Sequence, residues 1–405
     1  MISLETARKL DAEDPLRGFR DQFALPEGVI YLDGNSLGPL PIATREAMKD
    51  LVDRQWGERL IRGWNDGWID APQRVGDKIA RLIGADTGEV IACDSTSVNL
   101  FKLIVAALNR DPGRRTIVSE LGSFPTDLHV AEGAVNCVAG ARLRAVPRDQ
   151  LDDAIDADTA LLLLSHVHYK TSERFDMVEW TKRAQRAGAL VLWDLSHSAG
   201  AVPVNLNAAS ADLAVGCGYK FLNGGPGAPA YMFVAKRWQA ALYNPVSGWM
   251  GHARPFDFID HYEAAHGIKR WLTGTPSIVA MTALETGVDL MLKANMRVVW
   301  GKSHAMYHYL ASFGRQAGLE CITTVDLEMR GSHIAFRHPH AYPLCQALIA
   351  EGVIGDFRDP DILRFGITPL YLGFEDILRA GTILCDIVSS KRYLDPAFSK
   401  RHAVT

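Results

Sequence analysis

Short apolar runs alternate with amphipathic stretches along most of the chain, as in proteins whose helices pack on a mostly parallel sheet. Consecutive apolar positions, typical of strands buried on both faces, occupy 116–119, 161–165, 189–193 and 211–215. The pattern predicts helices over 42–60, 75–83, 98–108, 278–292 and 298–318. It therefore predicts an α/β fold with a mostly parallel sheet flanked by helices.

The last part of the chain has a different rhythm, in which short strands and helices are mixed. It predicts strands at 334–337 and 363–367, and helices at 342–351 and 374–388. A chain of 405 residues is also long for one simple core. We therefore predict three parts: an N-terminal arm and loop (1–50), a large domain (51–290) and a smaller α+β C-terminal domain (291–405).

Composition narrows the class of protein. A net charge of −4 without a basic block disfavours a nucleic-acid or anionic membrane partner. The six cysteines are scattered and form no CxxC pair, which favours a reducing compartment. The first residues are acidic and polar, unlike a signal peptide, and no apolar run reaches membrane-spanning length. A cytoplasmic enzyme fits these features, as do many other proteins of this composition.

Two residues that could take part in a reaction follow neighbouring apolar runs. Asp194 ends one run, and Lys220 stands among glycines just after the next, so both are predicted at the carboxyl edge of the sheet. A lysine there can form a Schiff base with a carbonyl, and a carboxylate can keep a pyridinium nitrogen protonated. His197 and Tyr219 lie beside them in sequence. Taken singly, Lys220 could be a solvated loop lysine and Asp194 a helix N-cap.

The motifs DLSHSAG (194–200) and GYKFLNGGPG (218–227) resemble the pyridoxal-phosphate enzymes of the aspartate aminotransferase fold. Within that group the chain is most similar to the kynureninase family, over nearly its whole length. The resemblance implies pyridoxal 5'-phosphate on Lys220 and hydrolysis of L-kynurenine, and of 3-hydroxykynurenine as well, with anthranilate and L-alanine formed from kynurenine. It also implies a homodimer with shared active sites. In this scheme Lys220 takes the α-proton, Asp194 faces the ring nitrogen, and Tyr219 transfers protons around the hydrated carbonyl.

The resemblance also assigns the cofactor site. The hydroxyl residues before the helix at 98–108 are ordinary N-caps and equally a phosphate site. The segment Phe124–Asp127 is by itself a turn before a helix, with Thr126 or Asp127 as cap; the resemblance places Phe124 over the ring and Asp127 near it. Trp249 and Thr275 are assigned to the phosphate of the neighbouring subunit. The other cofactor residues are Thr96, Ser97, Pro125, Thr126, Ser165, Asp194, His197, Tyr219 and Lys220.

Three residues are carried over as substrate contacts, each with a structural alternative. Asn35 lies in an irregular loop that could be a plain turn. Trp64, in a segment with two other tryptophans, could be packing or an aromatic wall for an aryl substrate. Arg364 lies on a predicted strand and needs an anion, which is either a structural Asp or Glu or the substrate α-carboxylate.

Other functions remain alternatives. A cysteine desulfurase or lyase of the same fold needs a mobile thiol, and neither Cys321 nor Cys345 lies in a Gly-rich loop. A nicotinamide dehydrogenase would need more than the fragment at 216–218, which precedes no predicted helix. The pair His166 and His168 has no third ligand nearby in sequence, which argues against zinc. A non-catalytic interaction protein is the third alternative.

Overall fold

A computed structural model describes residues 2–401, which form a large sheet, a small sheet, a two-stranded ribbon and the helices around them. The strands are β1 (Ile30–Tyr31), β2 (Val90–Ala92), β3 (Thr116–Glu120), β4 (Arg142–Val146), β5 (Thr159–Ser165), β6 (Leu190–Asp194), β7 (Leu213–Gly216), β8 (Tyr231–Val234), β9 (Glu320–Cys321), β10 (His333–Arg337), β11 (Val353–Ile354), β12 (Asp356–Arg358) and β13 (Ile362–Gly366).

The helices pack on both sheets. None of them, within the described residues, is both long and apolar enough to cross a membrane. Their bounds are α1 (Leu4–Glu13), α2 (Ile42–Asp50), α3 (Ala71–Ile83), α4 (Thr96–Arg110), α5 (Pro125–Val135), α6 (Leu151–Ala154), α7 (Met177–Arg186), α8 (Lys236–Gln239), α9 (Ile278–Met291), α10 (Met296–Gln316), α11 (Ala341–Ala350) and α12 (Phe374–Ser390).

The large sheet has the strand order β2–β8–β7–β6–β5–β3–β4. Neighbouring strands from β7 to β4 are parallel, whereas β8 is antiparallel to both of its neighbours. The predicted mostly parallel sheet is confirmed. Its register pairs Ser165 with Asp194 and Asp194 with Val215, so the carboxyl ends of β5, β6 and β7 lie side by side.

Three local features differ from the sequence expectations. The helix predicted to reach residue 60 changes from α2 to a π-helix at Leu51–Glu58. The edge strand β4 was not predicted, because it lacks the consecutive apolar positions of a strand buried on both faces. Its residues are exposed or half-buried. The predicted helix cap at Thr126 or Asp127 is wrong, because Pro125 opens α5 and Phe124 is the cap. Proline is well suited to a first helical position, since its ring fixes φ and it lacks an N–H.

The start of the chain packs on the C-terminal elements. The small sheet is antiparallel with the order β12–β13–β10–β9, β1 pairs with β11, and α1 packs on α12. The Asp11 carboxylate accepts the backbone N–H groups of Phe374 and Glu375, at 2.6 and 2.9 Å, and so caps α12. The predicted domain boundaries stay predictions.

The loop at 33–38 connects the two parts of the molecule. At Gly34 an added Cβ would lie 2.3 Å from the hydroxyl of Tyr371, so only glycine fits between the loop and the small domain. At Gly38 the backbone N–H donates to the carbonyl of Tyr219 at 2.8 Å, and a Cβ would lie 2.3 Å from the carbonyl oxygen of Lys220. The loop therefore touches the small domain at one end and the lysine segment at the other.

Candidate active site

A pocket lies where β5 and β6 end, at the carboxyl edge of the large sheet. The turn after β7 adds its own side chains to the wall. The pocket thus joins segments far apart in sequence, as expected for an open α/β sheet. The predicted site residues in its wall are Thr96, Ser97, Phe124, Thr126, Asp127, Ser165, Asp194, His197, Tyr219 and Lys220.

Lys220 is buried, and its amine contacts uncharged side chains. Nζ donates to Nε2 of His197 at 3.0 Å and lies 5.6 Å from the ring centroid of Phe124. Burial, and then the charge of Lys220, hold the pKa of His197 well below its usual value, so the imidazole is neutral. The amine therefore faces a neutral hydrogen-bond acceptor and an aromatic face.

Two buried carboxyl groups form one end of the pocket. Asp194 accepts the backbone N–H of Ser196 at 2.8 Å and its hydroxyl at 2.6 Å, and Ser165 donates to Asp127 at 2.9 Å. Burial raises the pKa of both aspartates, and the charge of Asp194 raises that of Asp127 further. Lys220 acts in the opposite direction on both. A second cation in the pocket would stabilise both carboxylates.

The N-terminus of α4 forms another part of the wall. Ser95 caps this helix by accepting the N–H of Val98 at 3.3 Å, and Thr96 and Ser97 are its first two residues. Backbone N–H groups in a first helical turn lack acceptors within the helix, and the helix dipole favours an anion there. Both interpretations of these hydroxyl residues, cap and anion site, therefore fit the geometry.

The pocket fits pyridoxal phosphate. Two of its buried polar atoms, Oδ1 of Asp127 and Nδ1 of His197, have no hydrogen-bond partner among the described residues. A buried polar atom without a partner is costly, so these two atoms point to a polar ligand. The wall contains both carboxyl groups and a helix N-terminus, which suits a molecule with a cationic ring nitrogen and a phosphate.

Three predicted cofactor residues do not line the pocket. Pro125 is exposed at the start of α5. Trp249 is 41% exposed and packs edge-on against Phe256, with ring centroids 5.7 Å apart. Thr275 is also exposed. Their assignments stay predictions, and those of Trp249 and Thr275 concern the pocket of a second subunit.

Asn35 and Trp64 also lie outside the pocket wall. Asn35 is fully buried, neither atom of its amide group has a partner among the described residues, and its Oδ1 lies so close to Gly366 that a Cβ there would clash. Trp64 packs edge-on against Trp68 at 5.7 Å, and the indole N–H of Trp68 donates to Gln55 at 2.8 Å. The packing alternative describes Trp64 in this structure, and both substrate roles stay predictions.

Arg364 has the structural partner that the sequence left open. Its Nε and Nη2 donate to the two carboxylate oxygens of Asp356, at 2.8 and 2.5 Å, and both side chains are 1% exposed. Its other contacts are the hydroxyl of Ser36, at 3.1 Å, and the carbonyl of Tyr169. Since Tyr169 lines the pocket, Arg364 lies directly behind the pocket wall. Its role toward substrate stays a prediction.

Three pocket residues were missed by the sequence analysis, namely Val167, Tyr169 and Ser196. Ser196 had a signal, because aspartate side chains often accept the backbone N–H of the residue two positions later and so form an Asx-turn. Asp194 accepts the N–H of Ser196 in this way. Val167 and Tyr169 follow β5 and alternate with His166 and His168, and the sequence analysis considered only these histidines, as zinc ligands. Those histidines are structural, since His166 is buried against Trp193 and His168 bonds the carbonyl of Gly122 at 3.0 Å.

Comparisons with known proteins identify the family of this chain. Residues 299–384 match the family model described as the kynureninase C-terminal domain. A protein named kynureninase from Burkholderia pseudomallei (strain 1106a) is 48% identical over the full length of both chains. Another of that name, from Pseudomonas fluorescens, is 46% identical over 98% of each chain. The chain belongs to the kynureninase family.

Solved structures similar to this member of the kynureninase family share its fold at low identity. The apo cysteine desulfurase of Thermococcus onnurineus NA1 superposes with a TM-score of 0.80 over 92% of this chain and 98% of its own, at 17% identity. A variant of C-DES with glycine covalently linked to its PLP cofactor has a TM-score of 0.78 over 91% and 99%, at 16% identity. These likenesses confirm the predicted fold class.

Proposed function

We propose that this chain hydrolyses L-kynurenine to anthranilate and L-alanine with pyridoxal phosphate as cofactor. Its substrate is a small molecule, and 3-hydroxykynurenine belongs to the same class. The observation that carries the proposal is that Lys220, at the carboxyl edge of the sheet, is hydrogen-bonded to a neutral His197 in a pocket that also holds two buried carboxyl groups. Family membership supports the choice of kynurenine.

The chain's own residues supply binding and proton transfer. Bound pyridoxal phosphate supplies the electron sink that stabilises negative charge on the substrate's α-carbon. Thr96 and Ser97 hold the phosphate at the start of α4. Phe124 covers a face of the pocket, and Asp194 would keep a proton on the ring nitrogen of the bound cofactor. The amine of Lys220, with His197 beside it, takes the α-proton and returns it.

Cleavage of the carbon–carbon bond needs a further proton carrier near the substrate's γ-carbonyl. Tyr219 lines the pocket next to Lys220, whose Nζ lies 5.8 Å from its ring centroid. Burial raises the pKa of Tyr219, so its hydroxyl stays protonated and is available as an acid. We assign proton transfer around the hydrated carbonyl to this hydroxyl. The oxygen of a water molecule bonds to the γ-carbon, the bond between the β- and γ-carbons breaks, and the γ-carbon leaves as the carboxylate of anthranilate. The β-carbon takes up a proton and becomes the methyl group of alanine.

The desulfurase alternative finds no mobile thiol in Cys217, Cys321 or Cys345. Cys217 is the cysteine closest in sequence to Lys220, but it is buried and contacts the carbonyl of Ser196 at 3.9 Å. Burial raises the pKa of its thiol, which disfavours the reactive thiolate. Cys321 ends β9, and Cys345 is buried within α11. Similarity to cysteine desulfurases therefore concerns the fold.

The purified protein reconstituted with pyridoxal phosphate should release anthranilate and alanine from L-kynurenine in equal amounts. Anthranilate fluorescence and an alanine assay measure the two products in one sample. L-cysteine in place of kynurenine is the matched comparison, because a desulfurase would release sulfide and alanine from it. Sulfide without anthranilate would contradict the proposal and favour the desulfurase. Running both kynurenines gives the ratio of their kcat/KM values and so the preferred one.

We further propose that the enzyme works in the cytoplasm as a homodimer in which Trp249 and Thr275 reach the phosphate site of the partner. Two observations support the dimer. Both residues are exposed and outside their own chain's pocket, and Trp249 belongs to an exposed apolar group with Phe256 and Phe258. Contiguous apolar groups of this kind are typical of protein interfaces.

Mixed dimers should test this sharing. A dimer of one Lys220→Ala subunit and one Trp249→Ala subunit contains one pocket with both changes and one with neither, if Trp249 acts across the interface. Two nearly inactive homodimers should then give, after subunit exchange, activity approaching a quarter of wild type at equal mixing, since half of the dimers are mixed. A mixture without regained activity, with exchange shown by tagged subunits, would mean that Trp249 acts within its own chain.

A further inference from the structure

A buried charge cluster lies behind the pocket wall, formed by Asp356 and Arg358 of β12 and Arg364 of β13. Asp356 and Arg364 are paired directly in the register of these two antiparallel strands. Arg358 also contacts the Asp356 carboxylate, at 2.8 Å. Ser36 joins the cluster from the loop at 33–38, donating to Asp356 at 2.7 Å. The cluster therefore links the small domain, the loop and the wall of the pocket.

We propose that Asp356 is a positioning residue for substrate binding. It holds the guanidinium of Arg364 in one plane, so that the opposite edge of the guanidinium can accept the carboxylate of an amino-acid substrate. The inference rests on the proposed function and on the predicted role of Arg364, and adds to them a residue that acts through Arg364.

The hydrogen bonds of Arg364 divide its guanidinium into two edges. Asp356 takes Nε and one N–H of Nη2 in a bidentate pair, at 2.8 and 2.5 Å. On the other edge, Nη2 donates to the hydroxyl of Ser36 at 3.1 Å, and Nη1 donates to the carbonyl of Tyr169. These two acceptors are neutral. An incoming carboxylate competes easily with neutral acceptors, whereas it cannot displace the carboxylate of Asp356.

The second edge lies on the pocket side of the cluster. The carbonyl that it contacts belongs to Tyr169, whose side chain lines the pocket and packs on Phe124, with ring centroids 5.2 Å apart. The charge of Arg364 also contributes to the low pKa of His197, after burial and Lys220. Arg364 is thus close enough to the pocket to act electrostatically on the imidazole that bonds Lys220.

The charge balance of the cluster favours an anion. Burial would raise the pKa of Asp356, but Arg364 and Arg358 together hold it below its usual value, so this carboxylate is ionised. Burial and the neighbouring Asp356 raise the pKa of Asp33 to about 8, so Asp33 is mostly protonated at neutral pH. Burial keeps His333, on the adjacent strand, neutral. Two arginines and one carboxylate leave one positive charge for a substrate carboxylate.

Replacing Asp356 by asparagine should remove the bidentate hold. The oxygen of the asparagine amide can accept a hydrogen bond from one guanidinium nitrogen of Arg364. Its NH₂ group would face the second nitrogen, and because both are donors the two-point contact is lost. We expect the Kd of the holoenzyme for L-alanine, which carries the carboxylate, to rise about 10-fold or more, since a charge-assisted contact is lost. The Kd for ethylamine, which lacks the carboxylate, should not change. Titration of the cofactor's visible absorption measures both.

A matched control separates this effect from general destabilisation. Asp14 is a buried carboxylate of the same part of the molecule, paired with Lys302 at 2.6 Å, and their side chains are 6% and 7% exposed. Asp14→Asn should lower thermal stability as Asp356→Asn does, yet leave the ratio of the two Kd values at the wild-type level. If Asp356→Asn yields no folded holoenzyme, the same titrations use Asp356→Glu. This variant keeps the negative charge but moves the carboxylate by one methylene, so it no longer pairs with Arg364 in the same geometry.

The variant Arg364→Met and its double with Asp356→Asn complete the test. Discrimination here means the ratio of the Kd for ethylamine to the Kd for L-alanine. If Asp356 acts only through Arg364, this ratio should be no lower in the double variant than in Arg364→Met alone. Discrimination kept by Asp356→Asn but lost by Arg364→Met would overturn the inference and leave the role of Arg364 intact. Discrimination kept by Arg364→Met would remove Arg364 from the carboxylate site, and the inference with it. A wild-type protein that hydrolyses no kynurenine but still discriminates would contradict only the proposed reaction.

Discussion

Lys220→Ala should lower kcat for L-kynurenine on the order of 10⁴-fold, because the variant loses the amine that moves the α-proton. Its stability should change little. The hydrogen-bond partner of Lys220 is the neutral His197. Burial already raises the pKa of Asp127 and Asp194, so these two carboxyl groups can take up protons when the lysine charge is removed. Steady-state anthranilate release measures kcat, and thermal unfolding measures stability. Borohydride reduction followed by peptide mapping should label Lys220 in the wild type and give no label in the variant.

Lys170 provides the control lysine. It lies near the pocket wall, but its amine donates outward, to the carbonyl of Asp359 at 3.1 Å. Lys170→Ala should keep kcat within a few-fold of wild type and should still be labelled by borohydride at Lys220. Equal losses in both variants would mean that the positive charge near the pocket matters rather than the chemistry of one amine. A Lys220→Ala enzyme with near-normal turnover would exclude the mechanism.

Asp194→Asn should lower kcat by about 10²- to 10⁴-fold. The amide is close in size to the carboxyl group, and its oxygen can still accept the N–H and O–H groups of Ser196. It cannot, however, hold a proton on a ring nitrogen as a carboxylate does. Because burial already raises the pKa of Asp194, a neutral side chain is tolerated there, and the melting temperature should stay the same or rise.

Asp212→Asn is the matched control, since we expect it to change thermal stability rather than kcat. Asp212 is equally buried but precedes β7, at the amino end of the strand, and it accepts from Arg237 at 2.7 Å and from the indole of Trp238 at 2.6 Å. Removing its charge should lower thermal stability and leave kcat close to wild type. A loss of activity in the Asp194 variant that merely follows its loss of folded protein would argue for a structural role.

The sequence predicted the inner part of the pocket because one rule of sheet geometry is enough for it. Parallel strands end at the same edge, so Ser165, Asp194 and Lys220, each at or after the end of an apolar run, had to lie together. The helix N-terminus at Thr96 was equally readable, because hydroxyl residues before a periodic stretch mark a cap. Neither inference needs knowledge of how distant side chains pack.

The surroundings of Arg364 were beyond this kind of inference. Its partner Asp356 is eight positions earlier, and the pairing depends on the register of two short antiparallel strands joined by a loop. A shift of one position would turn Asp356 to the other face. The sequence therefore indicated that Arg364 needs an anion, and it left open whether that anion belongs to the protein. In the structure the side chain of Arg364 is 1% exposed and is paired with Asp356.

The pairing of β1 with β11, and of α1 with α12, has a consequence for biosynthesis. The strands of the large sheet lie between residues 90 and 234, so this sheet can form while the chain is still being made. Residues before the loop at 33–38 find their partners only after β11 and α12 have been made. We therefore expect the loop that touches Lys220 to be anchored later than the large sheet forms.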